Sequence, residues 1–179
     1  VPVSVTLAPG QRYTLGRIQV TGSGADVATA TPFGLAQGDP ARAAPVLDAG
    51  DALRDRLRDA GYPLARVASR DVVVDHDQKT MDVTFILESG PLAHFAAPVV
   101  TGAETVDTGL LERVAQRRLA GETYGPARLE SARSAISALG PFSTVRAREA
   151  TALDAEGRLP VTFEVAERPL RLFGASLAY

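Results

Sequence analysis

Cysteine and tryptophan are absent from this 179-residue chain, methionine occurs once, histidine twice, and Lys79 is its one lysine. Without cysteine there is no disulfide framework, no cysteine-ligated zinc cluster and no thiol nucleophile. The same lack fits a reducing or an oxidising compartment, so it leaves the location open. The net charge of −2 gives no electrostatic case for a nucleic-acid partner. With 6% aromatic residues there are few platforms on which bases could stack. No apolar run approaches the ~18 residues of a membrane-spanning helix. Arginine takes almost all of the positive charge in an alanine-rich chain, which reads as a bias of composition and not as an arginine-built site. What remains, 45% hydrophobic and 22% charged residues, is the make-up of an ordinary globular fold.

A repeat organises the chain. Val3, Leu7, Gly10, Val20, Thr21 and Gly22 recur after 80 positions as Val83, Leu87, Gly90, Val100, Thr101 and Gly102. The phrase starts again near the end, where Val161, Phe163 and Val165 follow Val83, Phe85 and Leu87 after 78 positions. A period this long does not suit a solenoid of helix pairs; it suits small domains in tandem. The stretches VPVSVTL and RLFGASLAY both fall inside strand patterns, so the reading expects a piece of a longer protein.

Within the first unit, Tyr13 to Thr21 alternates imperfectly as a strand, with a bulge expected near Gly16. Residues 23–38 are rich in Gly, Ala, Thr and Pro, and any helix there is short. Pro45 opens a helix with Val46, Leu53, Leu57 and Ala60 on one face and Arg54, Asp55, Arg58 and Asp59 on the other, closed by Gly61. A hairpin follows. Its first strand runs from Arg70 to Asp75, its turn from Asp77 to Thr80, and its second strand lines one face with Met81, Val83, Phe85 and Leu87.

The second unit repeats the order. Ala97 to Val100 is the strand. Asp107 or Thr108 caps a helix with Leu110, Leu111, Val114 and Leu119. Pro126 starts another with Leu129, Ala132, Ile136 and Leu139, ending at Gly140. Thr144 to Leu153 and Leu159 to Ala166 form the hairpin. Each unit thus predicts an α+β, β-α-α-β-β fold: a three-stranded mixed sheet covered on one face by two helices.

The joints LAPGQRYTLGRIQVTG and LESGPLAHFAAPVVTG, with the helix ends RLRDAGYPLARV and AISALGPFSTVRA, resemble POTRA domains, the polypeptide-transport-associated repeats. In that family a helix closes on glycine plus an aromatic or proline before the hairpin. Gly61-Tyr62 and Gly140-Pro141-Phe142 have that form. The tail GASLAY resembles TamA-like more than BamA-like proteins. The resemblance implies that residues 1–8 end a preceding unit, that 9–90 and 91–168 are POTRA units, and that 169–179 lead into an outer-membrane barrel. It implies a periplasmic scaffold that helps fold and insert outer-membrane β-barrel proteins or autotransporters. Its partners would be unfolded precursors, other subunits of the machinery and the chain's own C-terminal barrel. No catalysis, cofactor or nucleic acid is implied. The alternatives are the POTRA region of a two-partner secretion transporter and a periplasmic interaction module without a barrel.

An open sheet shows unpaired N–H and C=O groups along its edges, and an extended client can pair with them while placing little demand on its sequence. If the unit's first strand pairs with the last, the hairpin's first strand is an edge. The candidate pairing residues are Ser69, Arg70, Val72 and Val74 in the first unit. In the second they are Thr144, Arg146, Arg148 and Ala150. The groove between the sheet and the second helix is a further surface. Gly10, Gly22, Gly90, Pro91 and Gly102 are the candidate joint residues. Asp75-His76-Asp77 has a metal-like composition, but neighbours on a strand point to opposite faces, which favours a turn. Ser134, Ser137 and Ser143 have no histidine in a recognisable arrangement.

Overall fold

The computed structural model describes residues 12–30, 32–140 and 142–168. The chain divides into two compact units, Val1–Pro91 and Leu92–Tyr179. The expectations for residues 1–8, Gly10, Pro141 and 169–179 lie outside the described residues.

In the first unit, β1 (Thr14–Gly22) is followed by the single turn α1 (Ala25–Ala28), α2 (Ala43–Asp59), β2 (Arg66–Asp75) and β3 (Thr80–Glu88). The sheet order is β1-β3-β2, with β3 parallel to β1 and antiparallel to β2. This is the mixed three-stranded sheet the sequence predicts. Val83, Phe85 and Leu87 of β3 are buried against Val46, Leu53 and Leu57 of α2, with Leu15 and Ala28 completing the core. Alternation on β3 and helical spacing on α2 build this core. Ala60 is not part of it: α2 ends at Asp59, and Ala60 is its exposed C-cap. Beyond it, the Gly61 N–H donates to Arg58 O at 3.1 Å and the Tyr62 N–H to Leu57 O at 3.0 Å. That pair of bonds, with Gly61 at φ 104°, is a complete Schellman ending.

The second unit contains β4 (His94–Phe95), β5 (Val99–Thr101), α3 (Thr108–Leu119), α4 (Pro126–Ser137), β6 (Phe142–Glu149), β7 (Arg158–Leu159) and β8 (Val161–Glu167). Its main sheet has the order β5-β8-β6, again parallel then antiparallel, and β4 pairs in parallel with β7. Asp107 caps α3, its carboxylate accepting from the Gly109 N–H at 2.9 Å. Leu111, Ala115 and Leu119 are the buried stripe of α3. Leu110 and Leu139, expected inside, are each 43% exposed. Leu110 lies about a quarter-turn off that stripe, and Leu139 lies past the end of α4. Three strand boundaries also move. Ala97 and Pro98 fall in the gap between β4 and β5, β2 begins at Arg66, and β6 stops at Glu149. Ala150, expected on an edge strand, instead donates its N–H to Pro160 O at 3.0 Å.

The bulge is present, and it repeats. In β1, Gly16 and Arg17 lie between the pairs Leu15↔Met81 and Ile18↔Val83, so two residues stand opposite Asp82. Asp82 Oδ1 accepts from the Arg17 N–H at 2.7 Å, and a Cβ on Gly16 would come within 2.2 Å of that oxygen. In the second unit, three residues (96–98) stand against two (160–161) between Phe95↔Leu159 and Val99↔Thr162. One surplus residue therefore sits at the same place in both repeats. The central strand meets it with a carboxylate in one unit and with a proline, which has no N–H to satisfy, in the other.

Gly22 and Gly102, expected as joints, do their work inside their own units. Gly22 ends β1 and Gly102 follows β5, at positive φ of 95° and 86°, and each lies against the central strand of its sheet. A Cβ would stand 2.1 Å from Leu87 O at the first and 2.3 Å from Val165 O at the second. We predict that Gly22→Ala and Gly102→Ala each cost about 1–3 kcal/mol or more in denaturant unfolding, since strain and a backbone clash add. Gly38→Ala, at φ 90° with open space around it, should cost only the conformational part.

At the end of β8, Glu167 gathers the loop before α3. Its Oε1 accepts from the N–H groups of Glu104, Thr105 and Val106 at 2.9–3.0 Å, and its Oε2 accepts from the Thr105 hydroxyl. The Thr105 hydroxyl first, then these backbone donors, hold its pKa at about 2. Because the folded value lies below the ordinary one, the stabilisation is full above about pH 4.5 and is lost as pH falls through about 2. The stability gap between the wild type and Glu167→Gln, measured by chemical unfolding, should therefore shrink across that window.

Candidate functional site

Two sheets of three strands present four outer edges, and the structure treats them differently. β1 is covered at its start within its own unit. Leu15 N–H donates to Asp39 O at 2.7 Å, Gly38 N–H to Leu15 O at 2.8 Å and Ala41 N–H to Tyr13 O at 2.9 Å, so residues 38–41 run beside it. β5 is three residues long, and its Val100 N–H is taken by Glu112 Oε1 of α3 at 3.3 Å. At β6, the Arg168 guanidinium donates to Phe142 O at 3.0 Å. Arg148 is ion-paired across the sheet to Glu164 at 2.5 Å, a hydrogen bond that raises the guanidinium pKa. β2 differs: among the described residues of its unit, β3 alone pairs with its backbone. Its outer side is a ten-residue row of peptide groups open to a further strand.

Register places the predicted side chains. On β2, Arg70, Val72 and Val74 stand opposite Phe85, Val83 and Met81 and so share the helix-covered face. Ser69, Asp71 and Val73 point to the other side. Val72, Val73 and Val74 are 48%, 67% and 43% exposed, which leaves apolar surface on both faces of one edge strand. On β6, Thr144, Arg146 and Arg148 oppose Ala166, Glu164 and Thr162 and lie on the face away from the helices. Thr144 and Arg146 line a shallow depression there with Glu164 and Ala166. The two candidate edges therefore present different surfaces. Ala147 and Glu149, opposite Phe163 and Val161, occupy the places that Arg70 and Val72 hold in the first unit.

Beside β2 runs the groove between sheet and second helix. Val46 and Leu47 of α2, Val72 and Met81 of the sheet, and the arginines Arg42 and Arg70 line a space of about 340 Å³. Gly50 is the residue that sequence reasoning missed. A Cβ there would stand 2.9 Å from Arg70 Nε, so the guanidinium rests on bare helix backbone. Glycine within a helix costs up to about 1 kcal/mol against alanine, and that cost was the available signal. On the exposed face of α2, Arg54 pairs with Asp51 at 2.9 Å and Asp55 at 2.8 Å. Asp75-His76-Asp77 is a turn. Asp75 Oδ1 accepts from the N–H groups of Asp77 and Gln78, and His76 Nδ1 is hydrogen-bonded to the Tyr13 hydroxyl at 2.7 Å. Gly90 and Pro91 lie at the end of the first unit, with Gly90 at φ 67° against Leu64.

Residues 13–90 match the POTRA family model, "Surface antigen variable number repeat". Along the chain, the structure superposes on POTRA domains 3 to 5 of BamA from Haemophilus influenzae. The TM-score is 0.71 at 21% identity, over 88% of this chain and 63% of that one. Both units have the POTRA fold. BamA from Haemophilus ducreyi lacking POTRA domains 1–3 matches with TM-score 0.69 and 18% identity, over 87% of this chain and 30% of that one. POTRA domains 1–2 of the periplasmic domain of Omp85 from Anabaena match with TM-score 0.53 and 11% identity, over 90% and 99%. The chain thus spans less than two thirds of either BamA chain. No curated protein matches its sequence at a significant level.

The contrast between POTRA edges has a direct readout. In hydrogen exchange, the Leu15 and Ala41 amides should be protected by the pairing along β1. The outward half of the β2 amides should exchange orders of magnitude faster than those of β3. Equal protection across β2 would mean that its edge is already occupied.

Proposed function

We propose that this chain is the periplasmic client-binding scaffold of an outer-membrane β-barrel assembly protein. In this reading it takes unfolded outer-membrane precursors, autotransporters among them, by strand addition. The observation that carries the proposal is the open backbone of β2 beside an apolar groove, in a unit whose opposite edge is covered at its start by residues 38–41. A barrel precursor is an extended chain with alternating apolar residues. Paired to β2, it gains main-chain hydrogen bonds regardless of sequence and sets every second side chain toward α2. β6, with Thr144, Arg146 and Arg148, is the second candidate edge and presents a more polar surface. Units at 9–90 and 91–168, after the end of a preceding unit and before a membrane barrel, are the arrangement the repeat supports. Partner subunits would dock on the remaining faces. A TamA-like in place of a BamA-like parent is the finer reading, and it rests on the nine-residue tail Arg171–Tyr179 alone.

Site-specific photocrosslinking to an unfolded outer-membrane protein tests this. Probes replacing Ser69 or Val73 on β2 should capture the client more than tenfold better than probes at Thr14 on the covered edge or Leu139 beyond α4. Capture from the helix-side positions alone would refute strand addition.

A further inference from the structure

The groove beside β2 carries more information than an apolar surface needs. Its floor is Val72, Leu47 and Met81, with Val74 next along the strand on the same face. Arg70 closes one end of this floor. One feature singles it out. It lies across the groove on Gly50, a position where any side chain would push the guanidinium away. Like Arg12, Arg17, Arg117, Arg118 and Arg146, it also has no carboxylate partner among the described residues, so its charge is not already matched. Arg42, at the N-cap of α2, lines the same groove from its other end, and it too has no such partner. The first turn of α2 holds no acidic residue, so the positive end of the helix is uncompensated there.

A strand added to β2 places alternate side chains over this face in register with Arg70, Val72 and Val74. We infer that the groove selects strands in which an acidic side chain stands two positions from a pair of alternating apolar residues. The carboxylate meets Arg70 on Gly50, and the apolar pair covers Val72 and Val74 beside Leu47. Planar, bidentate pairing is what a guanidinium fixed on one face offers a carboxylate. This inference rests on the strand-addition reading above and adds a preference in charge to it.

The test measures binding of the full chain to soluble heptapeptides. The first is Glu-Thr-Val-Thr-Val-Thr-Glu, which reads the same in either strand direction; in the others Gln or Lys replaces both Glu residues. The Glu peptide should bind roughly 1.5- to 5-fold more tightly than the Gln peptide, the range of a partly exposed ion pair. The Lys peptide should bind more weakly than both. The preference should fade at high salt and disappear in Arg70→Gln, whose thermal unfolding should match the wild type; Gly50→Ala, which crowds the guanidinium, should reduce it. Equal binding of all three peptides to the wild type would overturn the charge preference and leave strand addition standing. Binding of none would remove both. A preference that survives in Arg70→Gln would assign it to another residue and overturn the inference.

Discussion

Everything in each unit depends on one strand that is hydrogen-bonded on both sides. β3 and β8 are the last strands of their units in sequence and the middle strands in space. Their inward residues, Val83, Phe85 and Leu87 in one and Val161, Phe163 and Val165 in the other, are the centres of the two cores. A parallel neighbour on one side demands a crossover, and the helices supply it while covering the same face. An antiparallel neighbour on the other side needs only a hairpin turn. The β-α-α-β-β order satisfies both demands, and with the last strand in the middle the hairpin's first strand lies at the rim.

Much of this was legible in the sequence because the central strands alternate cleanly and the period near 80 shows the pattern more than once. The bulge could be placed from Gly16, since a break in alternation beside a glycine is a local signal. Side-chain positions were harder where a helix carries leucine on two faces or beyond its end. Leu110 and Leu139 fit the spacing rule on paper, yet only the packed stripe shows which of several apolar residues turns inward. The short piece β4 was invisible because two residues carry no periodicity, and β7 was read as the start of β8 because the break at Pro160 interrupts an otherwise continuous alternation. Gly50 and Arg70 lie twenty residues apart, and nothing local links a helix glycine to an arginine on the next strand.

The two units illustrate one architecture with different surface chemistry. Where the first places arginine and valine on the helix side of its rim, the second places alanine and a glutamate. The second instead displays threonine and arginine on the open face of the sheet. In strand addition the backbone supplies most of the energy, so on the proposed reading these side chains would set which partner is accepted more than whether one can be.

The loop at residues 38–41 has a consequence for the solution behaviour of the first unit. A sheet open at both margins can recruit copies of itself without limit, growing into a ribbon. A sheet sealed along one margin can join only one other through the margin that remains, after which growth stops. By lying along the start of β1, this short segment withdraws that stretch of backbone from recruitment, so the first unit's two margins are unequal in what they offer a second copy.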